Sequence, residues 1–168
     1  MDVFEAISTL LAVRIYQDRP VPEESIRRIL EAGRLTGSGR NAQPWHFIAV
    51  QDRDTLRQIG ALMPTGPYIA QAPLAIVVAI DQMPTAVSDA SRAIQSMLLT
   101  AWADGLGSNW AGFGGVDVLK PLLGIPDDLD VFAVLSIGYP TSAVGQGKKV
   151  RKPLAQVAHR ERFGDPFE

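Results

Sequence analysis

Apolar positions recur at two different periods along this chain, and each change of period marks an element. Val3, Phe4, Ile7, Leu10 and Leu11 follow a helical spacing, which predicts a short helix over residues 2–12. From Arg14 to Pro22 the prolines push their predecessors out of the helical region, so this stretch reads as an extended connector. Pro22 with Glu23 and Glu24 suits a helix start, and Ile26, Ile29, Leu30 and Gly33 carry an apolar stripe toward an end near Thr36-Gly37. Trp45 to Val50 reads as a strand, and Asp52 caps a helix running to Leu62. Met63 to Ala72 is a loop. Leu74 to Ile80 is apolar at every position, the pattern of a central strand buried on both faces. Asp89 to Ala103 is the longest helix, with a wide face of small residues that implies close packing. Ser108–Phe113 and Val131–Tyr139 read as strands, Val116–Leu123 as a helix stopped by Gly124, and Pro153–Arg162 as a short helical end. Helices and strands alternate, so a three-layer arrangement with helices on both faces of a sheet is expected.

The 168 residues suit a single domain spanning 1–168, large enough to bury a core without staples. With 16 basic and 18 acidic side chains the net charge is −2, which gives no bulk attraction to nucleic acid or anionic membrane. There is no cysteine, so thiolate catalysis and iron–sulfur chemistry are excluded, and two histidines make a histidine-rich metal site a poor fit. No metal ligand set is expected. The acidic start Met1-Asp2-Val3-Phe4-Glu5 lacks a signal-peptide n-region, and no apolar run is long enough to span a bilayer; a cytoplasmic location is expected.

No G-x-G-x-x-G follows a strand, and Walker, zincin and serine-elbow motifs are absent. Three stretches stand out instead. Ser38-Gly39-Arg40-Asn41-Ala42-Gln43-Pro44-Trp45 combines glycines with donors and acceptors suited to the rim of a polar heterocycle, or forms a turn between helix and strand. In Gly105-Leu106-Gly107-Ser108-Asn109-Trp110-Ala111-Gly112-Phe113 the first two glycines suit a helix cap. Gly112 inside a strand points to close approach by a ligand or another backbone. Lys148-Lys149-Val150-Arg151-Lys152 is either a solvated charge run or a phosphate clamp. Trp102, Trp110, Phe113 and His46 read as structural, and His159 and Arg160 as anchors of the tail.

Taken in order, these stretches resemble the nitroreductase family of FMN-dependent oxidoreductases. Ser38 to Trp45 is similar to the family's S-x-x-N-x-Q-P-W segment, Gly105 to Trp110 to its G-L-G-S-x-W turn, and Ile137-Gly138-Tyr139-Pro140 to its I-G-Y-P strand end. Arg151-Lys152-Pro153-Leu154 with His159-Arg160 resembles its C-terminal R-K-P-L…H-R. The resemblance implies an α+β fold: three α-β-α layers, a mixed central sheet and an intertwined homodimer whose C-terminal tail, 141–168, packs on the partner. It implies FMN as cofactor, NAD(P)H as reductant, and small-molecule acceptors such as nitroaromatics or quinones, used in ping-pong order. The implied FMN contacts are Arg14, Ala111, Gly112, Lys149 and Arg151 from one chain, with Ser38, Asn41 and Gln43 at or across the seam. No side chain is implied as a catalytic acid or base, because flavin N5 receives the hydride and the protein supplies alignment and charge. Acceptor selection is expected from Met63–Ala70 and Met83–Ser88.

The sequence departs from the family at Leu10, Leu11 and Ala12, where arginines and a serine usually face the phosphate, and at Thr36-Gly37, where Ala-Pro is common. A charge-assisted bond to phosphate is worth roughly 1.5–3 kcal/mol, about one to two decades of affinity. Phosphate binding is therefore expected to fall on Lys149 and Arg151. The same departure leaves a second reading open: a member with altered catalysis that binds a flavin or another ligand.

Overall fold

The computed structural model describes residues 1–112, 115–143 and 149–167. Phe113 and Lys148, both singled out above, lie outside the described residues.

The central feature is strand β2 (Leu74–Asp81), whose run of buried residues matches its apolar sequence. Its side chains alternate between two cores. Leu74, Ile76, Val78 and Ile80 pack toward helices α2 (Glu23–Arg34) and α4 (Ala86–Ala103). Ala75, Val77 and Ala79 pack toward α3 (Arg53–Leu62) and a 3₁₀ turn at Pro67–Gln71. One strand therefore serves two helical layers, which is what the unbroken hydrophobic run required.

The sheet also holds β1 (Trp45–Val50), β3 (Gly107–Ala111) and β4 (Leu129–Gly138), in the order β1-β2-β4-β3. All these pairings are antiparallel. The mixed character expected of the sheet is confined, among the described residues, to a single parallel bridge between Ala12 and Ser108. The β2–β4 register shifts between Val78 and Ala79, which pair with Ala133 and Val131; Phe132 is left over as the extra residue of a bulge.

Helix α1 (Val3–Thr9) starts where Asp2 accepts the Glu5 N–H at 2.8 Å, and Asp52 caps α3 in the same way on Thr55 at 2.9 Å. The small-residue face of α4 has its reason in α2: a Cβ on Gly33 would stand 3.0 Å from the Met97 sulfur and from the Phe47 ring. Helix α2 ends at Arg34, short of Gly37, because the Thr36 hydroxyl turns back to the Ala32 carbonyl at 2.9 Å. Gly105, in the left-handed region, does terminate α4: its N–H bonds Trp102 O, and the Leu106 N–H bonds Ala101 O at 2.8 Å. Helix α5 (Lys120–Leu123) follows a 3₁₀ turn and stops at left-handed Gly124, as expected.

The helical end expected over 153–162 shrinks to one 3₁₀ turn, Leu154–Gln156. Glu161 and Gly164 adopt positive φ and fold the tail back on itself, with Phe167 N–H bonded to Ala158 O at 3.0 Å. His159 and Arg160 stack on Phe163 and Phe167, so they anchor the tail to itself. No helix among the described residues is long and apolar enough to cross a membrane.

Candidate functional site

The segment between α1 and α2 runs as a strap beside β3. Ala12 bridges Ser108, and the Val13 N–H donates to Ser108 O at 2.9 Å. Gly107 makes room for this: a Cβ there would lie 2.6–2.8 Å from the Val13 side chain. Tyr16 pins the far end, its hydroxyl lying 2.6 Å from Val13 O and 2.7 Å from Ser136 Oγ. Burial pushes the Tyr16 phenol well above the usual tyrosine value, more than its bond to Ser136 pulls it down, so it stays a neutral strut.

That strap presents Arg14, whose guanidinium carbon lies 5.7 Å from the centre of the Tyr68 ring. The Tyr68 hydroxyl in turn accepts a hydrogen bond from the amide of buried Asn109, on β3. Lys149 donates to the Ile7 carbonyl in the last turn of α1. Desolvation, then the neighbouring Arg151 charge, holds the Lys149 ammonium below the usual lysine value. Among the described residues no carboxylate pairs with Arg14, Lys149 or Arg151. Cations left without a counter-ion of their own suit an anionic guest.

Leu10, Leu11 and Ala12 line a shallow cleft of about 240 Å³ with Leu98, Ser108, Asn109 and Trp110. The Ser108 hydroxyl on its floor is buried and has no hydrogen-bond partner among the described residues. This cleft holds no basic side chain, so a phosphate must find its charges elsewhere.

Of the two reasons expected for Gly112, a ligand or another backbone, the structure shows the second. Its φ is +147°, and a Cβ would stand 2.8 Å from Phe132 O and 3.0 Å from the Ala133 Cα. The close approach that demands glycine is the bulge of β4 in the same chain. The Ala111 side chain is buried in the core on the α3 side, so only its backbone can face a ligand.

Ser38, Asn41 and Gln43 form a separate group. Gly39–Asn41 is a 3₁₀ turn, and Arg40, Asn41 and Gln43 take φ of 53°, 56° and 51°. Three non-glycine residues in the left-handed region cost about 1–3 kcal/mol each, least for asparagine. Gly37 and Gly39 are not in that region, so glycine freedom does not shape this loop. It is held by the Gln43 N–H donating to Ser38 Oγ at 2.9 Å, the Gln43 side-chain amide donating to Asn41 O at 3.1 Å, and the Gly39 N–H donating to Asp89 Oδ1 at 3.1 Å.

Asp89 was legible only as a helix start. In the structure it lies inside α4, 1% exposed, one turn before Ala93 on the buried face. An acid at that phase of an apolar stripe was the available signal. Burial alone would raise its pKa; the Gly39 N–H, Thr85 and Arg92 outweigh that and hold the carboxyl below the usual aspartate range.

The two groups stand on opposite edges of the sheet. The loop feeds β1, while the strap lies along β3. Three strand spacings, about 14 Å, separate those edges. One chain brings Arg14, Tyr68 and Asn109 together, with Lys149 docked on the helix that precedes the strap. It does not bring Ser38, Asn41 and Gln43 to them. Among the described residues no cluster of His, Asp or Glu could hold a metal.

The Nitroreductase family profile matches residues 11–64 and 62–139. The chain belongs to the nitroreductase family. The match covers Arg14, Ser38, Asn41, Gln43, Ala111 and Gly112 of this nitroreductase-family chain; Lys149 and Arg151 lie beyond it. A Methanothermobacter thermautotrophicus protein, named as a candidate NADH dehydrogenase/NAD(P)H nitroreductase, is 40% identical over 154 residues, covering 86% of this chain and 81% of its own. The FMN reductase [NAD(P)H] of Bacillus subtilis is 26% identical over 187 residues, covering 96% and 74%. Among solved structures, the FMN-dependent nitroreductase of Clostridium difficile superposes with a TM-score of 0.86 at 26% identity, covering 95% and 99%.

Proposed function

We propose that this chain is an FMN-dependent oxidoreductase that takes hydride from NAD(P)H and passes electrons to a small acceptor, a nitroaromatic, a quinone or a similar compound, in ping-pong order. The observation that carries this reading is the placement of three cations that have no carboxylate partner among the described residues, Arg14 on the strap, Lys149 docked on α1 and Arg151 beside it, in a fold shared with FMN-dependent relatives.

The residues present suit the cofactor's chemistry. Lys149 and Arg151 would take the phosphate, replacing the charges that Leu10 and Leu11 cannot supply. Arg14 would face the electron-rich pyrimidine edge of the flavin, where negative charge gathers on reduction and a cation in a dry site is most effective. The backbone at Ala111–Gly112 would offer its polar groups to the ring. FMN, when bound, would supply the acceptor for a hydride, and these residues would orient the ring. No side-chain acid or base is required for hydride delivery.

The same reading makes the protein a homodimer, with Ser38, Asn41 and Gln43 reaching the site from the second copy. Support comes from their position on the edge opposite the strap. The tail adds to it: Val150, Leu154, Val157 and Phe163 are exposed apolar residues that find no core in their own chain and suit a partner's surface.

A visible spectrum of the protein as purified, and again after adding FMN and desalting, tests the reading, followed by NADH and NADPH oxidation with menadione. Retained flavin absorbance and acceptor-dependent turnover are expected. Protein that takes up no FMN overturns the proposal. Bound FMN without turnover favours the alternative, a ligand-binding member with altered catalysis.

A further inference from the structure

The carboxylate of Asp89 is the most enclosed charged group among the described residues, and nothing in the hydride chemistry above uses it. It lies under the Ser38–Gln43 loop. Oδ1 accepts the Gly39 N–H at 3.1 Å and is also bonded by Arg92. Among the described residues Oδ2 is buried without a hydrogen-bond partner, and it would be 3.6 Å from a Cβ on Gly39, so it faces the loop and not solvent. Buried polar atoms are normally satisfied, and among the described residues this oxygen and the Ser108 hydroxyl are the two exceptions. The loop above it is the segment where three non-glycine residues are forced into left-handed backbone. Such conformations persist only when their surroundings over-determine them. Within the loop the fixing bonds start from exposed Gln43, to half-buried Ser38 and exposed Asn41. Among the side-chain bonds, the tie from the loop to the rigid body is the one to Asp89, mounted on the longest helix.

We propose that Asp89 is a positioning residue: it clamps the Gly39 N–H so that Ser38, Asn41 and Gln43 are held ready for the flavin of the partner subunit. The proposal rests on the reading that these three residues contact FMN. It adds that the affinity of one subunit's site is set by a buried carboxylate in the other. The Gly39 N–H, then Thr85 and the exposed Arg92, hold the carboxyl below the usual aspartate range against the cost of burial.

The test compares wild type with Asp89→Ala and Asp89→Asn, each checked by circular dichroism and assayed well below its melting temperature. Two readouts are taken. The first uses apoprotein and trypsin: exposed Arg40 lies in the loop, so cleavage after it reports how firmly the loop is held. The second is the FMN dissociation constant from quenching of flavin fluorescence. Loss of a hydrogen bond to a charged group predicts an FMN constant raised about tenfold or more in Asp89→Ala. Cleavage after Arg40 should be several-fold faster. Asp89→Asn keeps an oxygen for the Gly39 N–H and should fall between the two in both readouts.

A folded Asp89→Ala protein with wild-type cleavage and wild-type FMN affinity overturns the proposal. So does faster cleavage with unchanged affinity, because the loop would then be anchored without serving the flavin. If Asp89→Ala does not fold, Asp89→Asn decides, and wild-type values in both readouts count against the clamp. Wild-type protein that binds no FMN overturns the functional reading itself, and that failure is recognised separately because the cleavage comparison needs no cofactor.

Discussion

Replacing Gly112 by alanine should destabilise the protein before any ligand is considered. The backbone there has φ of +147°, a value that residues with a Cβ rarely adopt. Imposing it costs about 1–3 kcal/mol. The new Cβ would also stand 2.8 Å from Phe132 O and 3.0 Å from the Ala133 Cα, and both are backbone atoms of a strand in the middle of the sheet. They cannot swing aside as the end of a side chain would, so overpacking adds about 1–3 kcal/mol. Together the loss is about 2–6 kcal/mol, a large share of the roughly 5–15 kcal/mol that holds a typical domain folded. At roughly 2–4 °C per kcal/mol for a chain of this size, the melting temperature should fall by roughly 5–20 °C. Thermal unfolding of apoprotein followed by circular dichroism measures it. A variant that melts within about 2 °C of wild type while losing FMN affinity would refute this reasoning. It would return Gly112 to a role in ligand approach alone.

Other outcomes follow from the same geometry. Arg151→Ala should raise the FMN dissociation constant about tenfold with little change in melting temperature, since the side chain is exposed and, among the described residues, bonds only the Val150 carbonyl beside it; equal constants would remove it from the phosphate site. Lys149 loses its proton at lower pH than an ordinary lysine, because its charged form is disfavoured by desolvation and by Arg151. An anion needs the charged form, so FMN affinity should weaken as pH rises through the alkaline range below the usual lysine value of about 10.4. Titrations in Arg151→Ala should move that decline upward, and a flat profile in wild type would exclude Lys149 as a contact. Gly107→Ala, which sets a Cβ 2.6–2.8 Å from Val13, should cost about 1–3 kcal/mol in urea unfolding by pushing the strap off β3; unchanged stability would show that the strap is not seated as described.

Much of this fold was legible because hydrophobic burial has a strict period. The all-apolar run from Leu74 announced a two-faced central strand, β1 spans the expected Trp45–Val50, and α3 starts where the Asp52 cap put it. Direction was harder to read. An alternation of helices and strands suits parallel crossovers, yet here every named strand pair is antiparallel: β1 and β2, joined through α3, and β3 and β4, joined through α5, are neighbours that run in opposite directions. The tail failed as a helix because its apolar residues find no core in this chain to bury against: Leu154, Val157 and Phe163 are exposed.

At the site, residue types were readable and reasons were not. Gly112 was correctly marked as a place of close approach, but the sequence cannot say that the approaching group is Phe132, twenty residues further along the chain. The Ser38–Gln43 stretch was recognisable from its polar groups. Its left-handed backbone falls on Arg40, Asn41 and Gln43 and not on the glycines, which only tertiary restraint can impose. Asp89 and Tyr68 were passed over because one looked like a helix start and the other like a loop residue. Each matters through a contact distant in sequence, Asp89 with Gly39 and Tyr68 with Arg14.

The account depends most on a site assembled from two chains. Differently tagged Asn41→Ala and Arg151→Ala chains, co-expressed and purified as the mixed dimer, test that directly by FMN titration. Each variant alone should bind FMN weakly at both sites. In the mixed dimer one site collects both substitutions and the other collects neither, so one flavin per dimer should bind with wild-type affinity. A mixed dimer in which no tight site reappears, although both parents are weakened, would contradict a shared site and place all the contacts within a single chain.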